Sequence, residues 1–292
     1  MPYGRVFGFL GPNGAGKTTT IKVLTTLIPP TSGIVKIFGK DVVNASREIR
    51  KRIGVVFQEP SFEANLTVER ALDLYGMMWH VPSGKRKERV NELLDEFDLQ
   101  PIRGMKNDEL SIGQRRRVQV ARKFMHEIDL LFLDEPTVGL DPAARRALLD
   151  YVKHQVKGGL TVFFTTHIME EAEYLCNDIA IINGGKIVAT DTPAGLKKKF
   201  GGTKSVVIKL KNGSARSVAE LLSPLALAAG ASIDTPENDT LRITSVEAQE
   251  LLVQTIDLLS KNSVQIDSIS VNPPTLEEVF LSMVRDAPKS YA

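Results

Sequence analysis

The chain has 292 residues, 42% hydrophobic and 25% charged, which is long enough for roughly two domains and too apolar for bulk disorder. Lys and Arg number 37 against 35 Asp and Glu, a formal charge of +2 that gives no reason to propose nucleic acid as a partner. The single cysteine, Cys176, excludes an intrachain disulfide and a multi-cysteine zinc site and fits a reducing, cytoplasmic setting; no apolar run of about 18 residues is present to span a membrane, and residues 1–5 lack the apolar core of a signal peptide.

Val6–Leu10 is a short apolar run that predicts a buried strand. It leads straight into Gly11-Pro12-Asn13-Gly14-Ala15-Gly16-Lys17-Thr18-Thr19. Ile21, Leu24 and Leu27 follow at helical spacing until Pro29-Pro30 stops them. Residues 34–38 and 53–57 read as further strands. From residue 61 to 125 helical patterns take over. Thr67 caps one helix, 85–97 forms a second and 110–125 contains a third, so a helical subdomain is expected over about 61–125. The strand 130–133, the helix Pro142–Lys157, the strand Thr161–Thr165 and the helix Met169–Leu175 then alternate. Asn183-Gly184-Gly185 signals a hairpin. Such alternation predicts an α/β fold with a mostly parallel sheet. Lys197-Lys198-Lys199 and the glycines after it mark a boundary within 197–203. It separates a domain of residues 1–200 from a small α+β domain of residues 201–292.

Gly11-x-x-x-x-Gly16-Lys17-Thr18, set between a strand and a helix, matches a phosphate-binding loop. Glycines let successive N–H groups turn toward one anion, and the following helix points its positive end at it. Residues 11–19 are therefore candidate nucleotide contacts. Lys17 has the reach for the β- and γ-phosphates, and the Thr18 hydroxyl suits Mg²⁺. The plain alternative is a glycine-rich turn. The strand 130–133 ends in Asp134-Glu135. Asp134 is placed to hold the Mg²⁺ shell and Glu135 to polarise a water; the plain reading is a solvated acidic turn. Leu110-Ser111-Ile112-Gly113-Gln114, read alone, is a helix cap. Arg115-Arg116-Arg117 spread around the helix and read as a solvated face.

Taken in order, these stations resemble the nucleotide-binding subunit of an ABC transporter over about residues 5–195. Residues 110–114 are similar to the Leu-Ser-Gly-Gly-Gln signature, with Ile112 in place of its first glycine. Gln58 matches the Q-loop glutamine, Asp141 the D-loop aspartate and His167 the switch histidine. Alone, they read as a loop amide, a cap before Pro142 and a helix-start residue. The resemblance implies a P-loop NTPase fold of the ABC type, with ATP and Mg²⁺ as cofactors. It implies Glu135 as general base, His167 as a γ-phosphate contact and Gln58 as a catalytic and metal-shell residue beside Thr18 and Asp134. It further implies a head-to-tail dimer, homodimeric or heterodimeric, in which Ser111 and Gly113 of one subunit meet the γ-phosphate held by the other. Gln114 and Asp141 join the nucleotide contacts. A separate membrane permease is the implied partner, reached through residues 59–66, with the chain peripheral at the cytoplasmic face of the membrane.

Residues 8–20, and Pro274-Thr275-Leu276-Glu277-Glu278-Val279-Phe280 after a small domain, resemble the daunorubicin-resistance type of export ATPase. From the residues alone, Thr275 caps an amphipathic helix. The resemblance implies export of drug-like, lipid or polysaccharide substrates. The rival readings are a hydrolytically weak regulatory module and a soluble non-transport ABC ATPase. Family members carry a strand pair and an adenine-stacking aromatic residue upstream of the phosphate loop. Tyr3 is too close to Lys17 to be that residue, so a shortened N-terminus is expected.

Overall fold

The computed structural model describes residues 1–59, 63–200 and 204–285. The chain divides into two units, Met1–Pro193 and Ala194–Ala292. The first runs β1 (Val6–Leu10), α1 (Lys17–Leu24), β2 (Lys36–Ile37), β3 (Lys40–Asp41), α2 (Ser46–Arg50), β4 (Ile53–Val56), α3 (Val68–Met78) and α4 (Ser83–Glu96). It continues through α5 (Ile112–Ala121), β5 (Leu130–Asp134), α6 (Pro142–Lys157), β6 (Thr161–Thr165), α7 (Met169–Leu175), β7 (Asp178–Asn183) and β8 (Lys186–Asp191).

The main sheet has the order β4-β5-β6-β1-β7-β8. Every neighbouring pair is parallel except the β7–β8 hairpin. Every residue of β5 and β6 is buried, as a parallel strand covered on both faces requires. Phe9, Phe132 and Phe163 of the sheet pack with Ile21 of α1 and Ile49 of α2 in one core. The strand expected over 34–38 is only two residues long. Phe38 takes a left-handed φ of 54° and turns the chain back to pair with β3.

The helical segment follows from its caps. Thr67 accepts the Arg70 N–H at 3.4 Å and opens α3. Ser111 and Gln114 form a reciprocal capping box that starts α5. Residues 61 and 62, expected to open this segment, lie outside the described residues, as do 60–62 of the expected coupling stretch 59–66.

The arginine run corrects the expectation of a solvated face. Arg116 is only 3% exposed. Its guanidinium donates to the carbonyls of Phe57 (2.7 Å) and Gln58 (2.5 Å) and to Gln119 Oε1 (2.8 Å). Arg115 donates to Leu110 O, and Arg117 to Phe97 O and Asp98 O. The three do spread around the helix, but carbonyls past β4 for Arg116, past α4 for Arg117 and just before α5 for Arg115 claim them before water does.

Lys123, also buried, donates to the Tyr75 hydroxyl at 2.9 Å. Burial, with Arg122 beside it, pushes its pKa down to about 7, while Glu63 opposes the shift.

The chain passes the division in α8 (Pro193–Phe200). All of this helix but Pro193 is grouped with the second unit, while the sequence reading places the boundary after residue 200. Residues 201–203 of the expected boundary stretch lie outside the described residues. The second unit continues with β9 (Lys204–Leu210), α9 (Ala215–Ala228), β10 (Ser232–Glu237), β11 (Thr240–Ser245), α10 (Ala248–Lys261), β12 (Ile266–Asn272) and α11 (Leu276–Arg285). Its antiparallel sheet has the order β10-β11-β9-β12, a split β-α-β-β-α-β arrangement. Val206, Ile208, Leu241 and Ile243 form a core with Val218, Leu222, Leu251 and Leu259 of the two longer helices. Thr275 and Glu278 cap α11 reciprocally.

Lys123→Met is expected to stabilise the protein by about 2 kcal/mol at pH 6, because there the folded chain must carry the protonated amine in a buried position that disfavours it, whereas the unfolded chain solvates it freely. The gain shrinks as pH rises from about 7 toward the ordinary value of 10.5, where the unfolded chain also loses its proton. Urea unfolding at pH 6 and pH 9.5 measures this; an equal gain at both would contradict it.

Candidate functional site

β1, β4, β5 and β6 run parallel, and their register pairs Val56 with Leu133, Asp134 with Thr165 and Gly8 with Phe164. The loops that follow these strands therefore open at one edge of the sheet, the edge where parallel sheets bind ligands. The phosphate loop leaves β1 there, and Gln58, Glu135 and His167 leave β4, β5 and β6.

Two glycines of the loop have specific causes. A Cβ on Gly11 would lie 2.4 Å from the carbonyl oxygen of Ile182 on β7. Gly16 takes a φ of 104° at the turn into α1. No side chain caps α1, so its first N–H groups are left toward the loop. Asn13 and Gly14 are exposed at the loop tip, Pro12 is half-buried and Ala15 is buried beneath it. Thr19 is exposed on the first turn of α1.

Lys17 is buried and folds over its own loop. Its Nζ donates to Gly11 O at 2.8 Å and Pro12 O at 3.3 Å, and it lies 3.6 Å from Glu135 Oε1. The Thr18 hydroxyl donates to Asp134 Oδ2 at 3.0 Å, and the Thr165 hydroxyl to Asp134 Oδ1 at 2.6 Å. Glu135 has a left-handed φ of 47°, a conformation that a non-glycine residue holds only when its surroundings enforce it. Its N–H donates to Thr165 O and Oγ1, both at 3.1 Å. Its Oε2 lies 3.2 Å from His167 Nδ1. Thr18 and Asp134 are hard oxygen donors within contact of each other, the donor set that suits magnesium.

Lys17, Thr18, Asp134, Glu135 and His167 thus form one cluster. Gln58 is exposed, with its carbonyl held by Arg116. Asp141 is exposed at the start of α6, where Oδ1 accepts the Ala144 N–H at 2.9 Å; that bond chiefly holds its carboxyl below the usual range. Among the described residues, the side-chain hydrogen bonds of Ser111 and Gln114 stay within their own helix start. Ile112, 62% exposed, lies against the loop after Glu135: a Cβ on Gly139 would come within 2.8 Å of its Cγ2. A Cβ on Gly113 would be 3.4 Å from Leu140 Cδ2. The 111–114 segment therefore packs on the 135–141 loop.

Two contributors escaped the sequence reading. Thr165 ties Asp134 to the Glu135 backbone, and Arg116 anchors the carbonyl of Gln58. Only strand register could have pointed to the first; no local pattern points to the second.

The family profile for ABC transporters matches residues 1–138. The daunorubicin resistance ATP-binding protein of Streptomyces coeruleorubidus is 36% identical over 283 residues, which are 97% of this chain and 88% of that protein. The chain belongs to the ABC transporter ATP-binding family. The linearmycin resistance ATP-binding protein of Bacillus subtilis is 32% identical over 96% of this chain and 89% of its own length. A solved ATP-binding subunit of an ABC transporter aligns with a TM-score of 0.63 and 31% identity, over 68% of this chain and 83% of its own. A dimeric ATP-binding cassette in a post-hydrolysis state, bound to ADP and Pi, aligns at 0.62 and 25% identity, over 66% and 87%. As an ABC ATPase, the chain is an enzyme, and its fold is the P-loop fold of that family.

Gly11→Ala is expected to cost about 1–3 kcal/mol of stability and to weaken ATP binding, because the new methyl displaces either the loop or the β7 backbone. Thermal unfolding and equilibrium ATP binding measure this; wild-type values in both would contradict the close approach.

Proposed function

We propose that this ABC ATPase binds ATP on residues 11–19, hydrolyses it with Mg²⁺ and drives a separate membrane permease of the export type. The observation that carries this reading is the convergence of Lys17, Thr18, Asp134, Glu135 and His167 at one sheet edge. Phosphate oxygens would take Lys17 from the carbonyls of Gly11 and Pro12. The N–H groups of the loop and the start of α1 would receive the remaining negative charge. Thr18 and Asp134, with Gln58 in the outer shell, would hold magnesium, which neutralises charge on the transferring phosphoryl group. Glu135 would accept the proton of the attacking water. His167 would hold Glu135 through Nδ1 and offer its other nitrogen to the γ-phosphate. Asp141, which caps α6, would join the nucleotide contacts.

Ser111, Gly113 and Gln114 would complete the site of a second subunit. Their helix start is exposed, and its capped N-terminus suits an anion. The dimeric cassette bound to ADP and Pi supports that arrangement. No described helix is long and apolar enough to cross a membrane. We assign the chain to the cytoplasmic face, docked on its permease through residues 59–66. The resistance proteins it resembles favour a drug-like cargo. We take residues 201–292 as an accessory domain and residues 1–200 as the nucleotide-binding domain.

Glu135→Gln is expected to keep ATP binding and to lose turnover by about 10²–10⁴-fold. Phosphate release and equilibrium binding measured on the same preparation check this; unchanged turnover would remove Glu135 from the role of base.

A further inference from the structure

Glu171, on α7, is a carboxylate only 3% exposed. A buried charge is costly unless hydrogen bonds and an opposite charge hold it. Its Oε2 accepts the hydroxyl of Thr137 at 2.9 Å and that of Thr166 at 2.7 Å. Its Oε1 lies 3.4 Å from Nε of Arg145 on α6.

The positions of these partners give the contact its meaning. Thr137 lies two residues past Glu135, and Thr166 directly precedes His167. Arg145 sits one helical turn beyond Asp141, the cap of α6. The Thr166 hydroxyl also accepts the Ile168 N–H at 3.0 Å, which fixes the turn through His167. Glu171 thus ties together the segments carrying Glu135, His167 and Asp141 while making no hydrogen bond or ion pair to any of the three among the described residues. The strained backbone of Glu135 needs such enforcement from its surroundings.

We infer that Glu171 is a positioning residue that holds the 135–141 loop and the 166–168 loop in one geometry, so that it sets the rate of phosphoryl transfer and not the affinity for ATP. The inference rests, for its kinetic arm, on the ATPase reading above.

Two measurements on the full chain test it. In the first, Glu171→Ala is expected to lower kcat about tenfold or more while the Kd for ATP changes by less than about threefold, the signature of lost orientation. Glu171→Gln keeps a carbonyl oxygen for both hydroxyls and is expected to recover most of the rate. A wild-type rate in folded Glu171→Ala would overturn the inference, as would a Gln variant as slow as the Ala variant, or parallel losses of rate and affinity. In the second, amide hydrogen exchange is followed without regard to turnover. Thr137→Val is expected to raise exchange in residues 166–168, and Thr166→Val in residues 137–139, because each hydroxyl acts on the other loop through Glu171. Exchange confined to the substituted loop would overturn the inference. Wild-type protein that releases no phosphate yet shows the cross-loop effect would instead count against the ATPase reading alone.

Discussion

A buried ammonium faces a buried carboxylate where the strands of the main sheet end, and the site depends on that pair. Lys17 and Glu135 are 3.6 Å apart, with side chains 7% and 9% exposed. Either charge alone would be strongly unfavourable there. Together, with the carbonyls of Gly11 and Pro12 on Lys17 and His167 on Glu135, both are accommodated. A phosphate that recruits Lys17 must therefore draw it from Glu135, and it leaves that carboxylate to His167 and to a water. On the proposed function, nucleotide binding and exposure of the base become one event.

The sheet explains why these charges lie where they do. Strands buried on both faces leave little room for ionised side chains, so polar groups gather at and just beyond the strand ends. Register then decides which ends are neighbours. Asp134 beside Thr165 places a hydroxyl between the acidic strand and the segment that carries His167. β4, beside β5 at the edge of the sheet, ends at Val56 opposite Leu133, and Arg116 seals the carbonyls that follow it from the side of α5. The start of α5, the loop after Glu135 and the Gln58 segment are thereby connected by direct contacts, a physical route between the region proposed to meet the permease and the region proposed to meet phosphate.

Much of this was legible in the sequence because it is local. The phosphate loop, the acidic strand end and the caps at Thr67, Ser111 and Thr275 are each contiguous patterns with a physical cause. Gln58, Asp141 and His167 could be singled out only by their order along the chain. What was not legible is non-local. Three adjacent arginines suggest solvent, and only the orphan carbonyls past β4 show why Arg116 is buried instead. Thr165 and Glu171 look like an ordinary strand residue and an ordinary helix residue until the neighbouring loops are in place. The short strand at residues 36–37 reflects a left-handed Phe38, which no propensity would place there.

The most direct test of the account is phosphate release from ATP by the purified chain, followed as chain concentration is raised, with magnesium and with a chelator. The account predicts magnesium-dependent release that climbs more steeply than linearly, since a second subunit completes each site. ATP that binds but is never hydrolysed, or turnover per chain indifferent to both concentration and magnesium, would contradict it.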